Sequence, residues 1–174
     1  TGGIPASATR NGAVLYQRTF DEHGRVATLT DRSGVARTFS YDDLDRITRI
    51  AYADGLSEQF TYAACCPALL ESRTSRGGRV TRYVYDAAAR LVELRRPDGA
   101  SERFEHDRNG NRTQIVDAAG HATSYEYDLD NRPTRRTFAS GSTESVTYDG
   151  EGLITGFVNA RGAHAQVSYG PRHE

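Results

Sequence analysis

The sequence predicts an all-β fold of tandem β-hairpins, and three observations carry that prediction. First, one mostly aromatic position recurs on a fixed period. Phe20, Tyr41, Tyr62, Tyr85, His106, Tyr127, Tyr148 and Tyr169 follow one another at steps of 21, 21, 23, 21, 21, 21 and 21 residues. Second, a glycine stands seven residues before each of these positions from Tyr41 onward, at Gly34, Gly55, Gly78, Gly99, Gly120, Gly141 and Gly162. Third, the segments between them alternate apolar and polar residues with a period of two, as a half-buried strand does. A repeat this short cannot bury its apolar side alone and must stack on neighbours.

Each unit reads as strand, tight turn, strand, second turn. The strand ending at the aromatic position is clearest in Thr38-Phe39-Ser40-Tyr41 and Ser124-Tyr125-Glu126-Tyr127. There the aromatics share one face and Ser, Thr or Glu the other. The second apolar column is Phe39, Phe60, Tyr83, Phe104, Tyr125, Val146 and Val167, two residues before the first column. Together the two columns hold twelve of the 16 aromatics, which makes the predicted core thin and linear. The recurrent glycine follows turn formers, as in Asp54-Gly55 and Pro97-Asp98-Gly99, and these dipeptides call for positive φ in a hairpin turn. Upstream lies the other strand of the unit, such as Arg46-Ile47-Thr48-Arg49-Ile50 or Arg90-Leu91-Val92-Glu93-Leu94-Arg95.

The second turn follows the aromatic anchor. Asp comes next at Asp21, Asp42, Asp86, Asp107, Asp128 and Asp149, and Arg stands five residues past the anchor at Arg25, Arg46, Arg90 and Arg132. An Asp there can accept hydrogen bonds from the turn backbone. The Arg can bond turn carbonyls or pair with an Asp. Ala87-Ala88-Ala89 is the best local helix former, yet it falls inside such a turn and reads as turn.

Composition narrows the function. The chain has 174 residues, a formal net charge of −1, 37% hydrophobic residues, 17 glycines and no lysine. No apolar run approaches the roughly 18 residues of a spanning helix, so no transmembrane segment is expected. No charged segment followed by an apolar one opens the chain, so no signal peptide is expected. The balanced charge argues against nucleic acid as a partner. The start at Thr1-Gly2-Gly3 without methionine reads as an excised fragment.

Cys65 and Cys66 are the two cysteines. Adjacent Cα atoms lie about 3.8 Å apart, below the usual disulfide range of roughly 4.4–6.8 Å, so an ordinary bridge between them would be strained. They read as small apolar residues, with a redox-active vicinal pair as the sharper alternative. They fall in Tyr62-Ala63-Ala64-Cys65-Cys66-Pro67-Ala68-Leu69-Leu70, the unit that has two extra residues and neither the Asp nor the Arg of the turn. A bulge or widened turn is expected there. Pro133 opens the strand after Tyr127, which predicts an edge strand or one that begins after the proline.

The segments Phe20-Asp21-Glu22-His23-Gly24-Arg25-Val26, Tyr41-Asp42-Asp43-Leu44-Asp45-Arg46-Ile47 and Tyr85-Asp86-Ala87-Ala88-Ala89-Arg90-Leu91 resemble the Tyr-Asp-x-x-Gly-Arg-Leu signature of rearrangement-hotspot, or YD-repeat, proteins. The resemblance runs over about residues 11–170. Departures are the Tyr62–Leu70 unit, His106 for Tyr, and Asn111 and Leu153 for Arg. The double-cysteine unit also resembles units of bacterial members. On this resemblance residues 1–19 are a partial repeat, 20–169 seven tandem repeats, and 170–174 the start of another. The resemblance implies a twisted, spiralling antiparallel sheet that closes into a hollow shell in full-length members. It implies a secreted or cell-surface bacterial location, and as partners the rest of the array and an enclosed C-terminal toxin. An adhesion role toward carbohydrate or a cell-surface protein is the alternative, as in animal members. The self-cleaving Asp-Pro-x-Gly core of bacterial shells is not found. Asp117-Ala118-Ala119-Gly120 reads as a repeat turn, so the fragment is expected to lie mid-shell, with neither plug nor toxin.

No catalytic, cofactor or metal site is expected. His106-Asp107 resembles a dyad in print but occupies the tyrosine and Asp columns. His23, His121, His164 and His173 share no partners, and no phosphate loop occurs. The Asp row has the Arg column as its simplest partner. Uncapped ends predict edge-to-edge self-association. A fully buried Tyr85 predicts a loss of about 3–5 kcal/mol in Tyr85→Ala.

Overall fold

A computed structural model describes residues 6–10 and 13–170. Among these residues every regular element is a strand. Among the described residues no helix is long and apolar enough to cross a membrane. The chain divides into two units, Thr1–Tyr83 and Val84–Glu174. The first holds β1 (Ser7–Arg10), β2 (Ala13–Phe20), β3 (Val26–Asp31), β4 (Ala36–Tyr41), β5 (Ile47–Tyr52), β6 (Ser57–Tyr62) and β7 (Leu70–Thr74), and the boundary falls in β8 (Val80–Tyr85). The second holds β9 (Leu91–Arg95), β10 (Ser101–His106), β11 (Arg112–Val116), β12 (Ala122–Tyr127), β13 (Pro133–Thr137), β14 (Thr143–Tyr148), β15 (Ile154–Val158) and β16 (His164–Gln166). Within each unit the strands lie in chain order, and each pairs antiparallel with its sequence neighbours. The all-β hairpin prediction holds, and Ala87–Ala89 is turn.

The two apolar columns share a face because they stand two residues apart on each strand, and the register sets what the second column meets. Phe39 sits opposite Ile50, Phe60 opposite Arg73, Phe104 opposite Ile115, Tyr125 opposite Arg136 and Val146 opposite Phe157. The other face is a polar array in which Ser40, Arg49, Gln59 and Thr74 stand abreast, as do Glu105, Gln114, Ser124 and Thr137. Hydroxyls pair across that face, Thr19 with Thr28 at 2.7 Å and Thr61 with Ser72 at 2.8 Å. A face of this kind contributes through cross-strand contacts more than through deep burial.

The core is thinner than the sequence suggested. Among the described residues Phe104, 9% exposed, is the one buried hydrophobic residue. The anchors Phe20, Tyr41, Tyr62, Tyr85, Tyr127 and Tyr148 are half-buried, and Tyr169 is 52% exposed. A layer covered on one side by its own neighbours leaves each ring partly open. The full-burial figure for Tyr85→Ala therefore does not apply.

Both turns of the repeat share one geometry. At the glycine turns the chain closes as in Tyr52 N–H to Leu56 O and Gly55 N–H to Tyr52 O, both 3.0 Å, with Gly55 at φ 82°. This is a type I turn followed by a left-handed residue, the three-residue hairpin loop. Within these dipeptides the glycine takes the positive φ, and Asp54 and Asp98 do not. The turns after the anchors close in the same way, with Gly24, Asp45, Ala89, Gly110, Asn131 and Gly152 in the left-handed position. Register shifts at Thr19/Phe20, Ser40/Tyr41, Thr61/Tyr62, Glu105/His106, Glu126/Tyr127 and Thr147/Tyr148 place a bulge beside each of these anchors.

The double-cysteine unit forms a widened turn, as expected. Ala63 N–H bonds Leu69 O at 2.9 Å, and two successive turns close at Cys66 N–H to Ala63 O and Leu69 N–H to Cys66 O. Pro133 differs from expectation. It is the first residue of β13, a strand paired on both sides, and lies opposite Tyr127 at the register shift. A bulge there tolerates a residue without a ladder donor.

Candidate functional site

The most organised chemistry in the molecule is a row of side-chain clips that joins one repeat to the next. The Asp that opens each anchor turn folds back onto that turn. Asp42 Oδ1 accepts from the Leu44 and Arg46 N–H groups, both at 3.0 Å, and Oδ2 accepts from Arg46 Nε at 2.7 Å. Asp21, Asp86 and Asp128 make the same three bonds with His23 and Arg25, Ala88 and Arg90, and Asp130 and Arg132. Arg46 beside it holds the Asp42 carboxyl below its ordinary 3.8, and Arg90 does the same to Asp86. A carboxylate that accepts several hydrogen bonds is stabilised in its charged form.

The same Arg also reaches forward. Arg25 Nη1 donates to Asp42 O at 3.3 Å and to Asp45 Oδ1 at 2.7 Å in the following anchor turn. Arg46 Nη1 donates to Pro67 O, and Arg90 Nη1 to Asp107 O, both at 2.5 Å. On the way the guanidinium covers the next anchor ring: Arg25 over Tyr41 at 4.7 Å, Arg46 over Tyr62 at 4.3 Å and Arg132 over Tyr148 at 4.8 Å. That anchor reaches backward in turn. Tyr41, Tyr62, Tyr127, Tyr148 and Tyr169 donate their hydroxyls to the carbonyls of Val26, Ile47, Arg112, Pro133 and Ile154, at 2.7–3.0 Å. Burial pushes the Tyr41 and Tyr62 phenols above their ordinary value. The sequence had placed Arg near Asp; the forward reach is legible only as the common period of the Tyr and Arg columns.

The imperfect units show what the columns do. Asn111 stands in for Arg. Its Nδ2 reaches Asp107 Oδ2 at 2.9 Å and Asn131 Oδ1 in the next turn at 2.7 Å, so the link survives without the cation. His106 stands in for Tyr, and its Nδ1 is buried with no hydrogen-bond partner. The apolar face carries a further polar cluster that the sequence did not single out. Glu58 accepts from the Tyr52 hydroxyl at 2.9 Å and from Arg73 at 2.8 Å, and Arg76 lies over the Tyr52 ring at 4.1 Å while pairing with Asp54.

The remaining candidate groups stay apart. His23 Nδ1 lies 3.5 Å from Arg25 Nη2, His121 Nδ1 lies 3.1 Å from Asp117 Oδ2 in an exposed turn, and His164 is exposed on β16. His173 lies outside the described residues. Among the described residues no group of three or more His, Cys, Asp and Glu side chains is placed to hold a metal ion. Cys65 is exposed, Cys66 half-buried, and they form no disulfide. A groove of about 640 Å³ in the second unit is lined by Glu126, Asp128, Arg132, Arg135, Ser145 and Tyr148, among others, and its Asp128 and Arg132 already pair with each other.

Known proteins bear on this geometry at the level of sequence family and of fold. The RHS Repeat family profile matches residues 20–57, 69–101 and 106–143, more than half of the chain. No curated protein sequence matches. Among solved structures, the chain is similar to the TcdB2-TccC3 complex without its hypervariable C-terminal region, with a TM-score of 0.67 at 19% identity. It is similar also to the Photorhabdus luminescens Tc holotoxin pore carrying TccC3-D651A, with a TM-score of 0.66 at 20% identity. Each alignment covers 87% of this chain and 9% of the other, so the chain spans less than a tenth of those structures' length. Matched repeats, an all-β hairpin array and clips renewed once per repeat agree with one another: the chain belongs to the RHS repeat family.

Proposed function

We propose that this chain is a wall segment of a repeat-built shell that encloses the C-terminal toxin of a secreted bacterial protein, and that its own role is structural and not catalytic. The observation that carries this reading is where the side chains point their bonding. The forward Arg and the backward Tyr are spent on the adjacent repeat and the Asp on its own turn, which ties hairpin to hairpin, and among the described residues no catalytic groups converge. β16 is an outer strand, and Ile154, Phe157, Val158, Val167 and Tyr169 at that end are 38–52% exposed. Exposed strand edges with apolar flanks are where a further strand pairs. Partners on this reading are the rest of the array and the enclosed segment. The likeness to Tc toxin complexes supports it at the level of fold.

The test is electron cryomicroscopy and limited proteolysis of the protein expressed from its complete reading frame. A closed shell holding a protease-protected downstream segment is the expected result. An open, unfilled sheet that binds glycans or a cell-surface protein would overturn it in favour of an adhesion module.

A further inference from the structure

We propose that Cys65 and Cys66 form a reversible thiol–disulfide site, in which a low-molecular-weight disulfide oxidises the pair to a vicinal disulfide within one turn of the wall. The inference is independent of the shell reading.

Three features of this turn set it apart. Of the seven described turns that follow an anchor, it is the one that opens without Asp, having Ala63 instead. In the other six a carboxylate holds two N–H groups of the turn. Here the turn is closed by backbone bonds, from Ala63 to Leu69 and through Cys66. Second, this turn, two residues longer than the others, carries two cysteines adjacent in sequence, one exposed and one half-buried, with no disulfide between them. An accessible thiol beside a resolving thiol is the arrangement of redox-responsive cysteines. Third, the turn still holds the preceding repeat, because Pro67 O next to Cys66 accepts the Arg46 guanidinium that covers Tyr62. A change in the turn at Cys65 and Cys66 is thus transmitted to a clip.

The chemistry balances without further components. The exposed Cys65 thiolate attacks one sulfur of the small disulfide, whose S–S bond breaks and releases one thiolate. The Cys66 thiolate then attacks the Cys65 sulfur of the mixed disulfide and expels the second thiolate. The two protons lost by the cysteines end on the two released thiols. The pair is oxidised by two electrons and the reagent disulfide is reduced. Because neighbouring Cα atoms are closer than an unstrained bridge prefers, the product is readily reduced, which is the property of a labile, regulatory disulfide and not of a structural one.

The experiment equilibrates the chain with glutathione over a series of oxidised-to-reduced ratios, quenches in acid, alkylates and weighs the intact protein and its Tyr62–Leu70 peptide. The expected product is lighter by two hydrogens, takes up no alkylating agent, grows only where oxidised glutathione is in excess and disappears when reduced glutathione is restored. Cys66→Ser should stop at a stable glutathione adduct on Cys65. Two outcomes overturn the proposal: a wild-type chain that also stops at the glutathione adduct, or one whose thiols both remain alkylatable at every ratio. Hydrogen exchange at Tyr62 and Arg46 before and after oxidation reads the transmission to the clip, and unchanged exchange removes that part of it.

Discussion

Substitution of Tyr62 separates the three contributions an anchor makes. Tyr62→Phe keeps the half-buried ring and the Arg46 stack, and it removes only the hydroxyl that donates to Ile47 O at 2.7 Å. A hydrogen bond of this kind contributes about 1 kcal/mol net. Tyr62→Ala also removes the stack, worth about 0.5–1 kcal/mol at a partly exposed site. It removes in addition about half of the roughly 1.5–3 kcal/mol that full burial of such a side chain gives. The expected losses are therefore about 1 kcal/mol for Tyr62→Phe and about 3 kcal/mol for Tyr62→Ala. Urea denaturation followed by circular dichroism and tyrosine fluorescence measures both, provided the m-values agree with wild type. Equal losses in the two variants would refute this division, because the ring would then contribute nothing beyond its hydroxyl. A Tyr62→Phe variant as stable as wild type would show that the backward bond does not hold the repeats.

His106→Tyr should raise stability by about 1 kcal/mol by restoring the missing backward hydroxyl and removing the unpartnered Nδ1; a lower melting temperature would contradict it. Ala89→Gly should raise the melting temperature, since Ala89 holds φ 63° and the left-handed region costs an L-residue about 1 kcal/mol; a destabilised variant would mean that the methyl group contributes packing. Asp42 and Asp86 have carboxyls held below the ordinary 3.8 by Arg46 and Arg90, so their contribution is complete above that value and is lost as pH falls through the lowered folded values. Thermal melts should thus be nearly level between about pH 7 and 5 and fall below about pH 4, with a shallower fall in the Asp42→Asn, Asp86→Asn double variant; an unchanged slope would remove these clips from the acid response.

Much of this fold is legible in the sequence because its physics is local and repeated. The period, both turns and the sharing of one face by Phe39 and Tyr41 follow from glycine spacing and alternation alone. The clip between Asp42 and Arg46 was foreseeable because it closes within four residues. What the sequence hid depends on side-chain reach across repeats. Nothing in one copy of the motif says that Arg46 Nη1 extends to Pro67 O while its Nε stays on Asp42. Burial was overestimated for a related reason. Alternation tells which face a ring takes, but the depth of cover depends on what lies above the sheet, and here that is a guanidinium at the edge of solvent. Pro133 misled because a proline rule for ladders gives way at a bulge, and bulges are set by the turn next door.

The double-cysteine turn carries a lesson about how such chains change over time. Its two additional residues are absorbed between Ala63 and Leu69, and β6 and β7 resume pairing with Tyr62 opposite Leu70, just as Tyr41 lies opposite Ile47 where nothing was inserted. The forward guanidinium finds a carbonyl all the same, at Pro67, and Tyr62 still bonds Ile47. Length errors are contained in the turn and do not propagate along the sheet. A gene for such an array can gain or lose turn residues one hairpin at a time, and natural variation can sample new turn chemistry there while each neighbouring hairpin keeps its place.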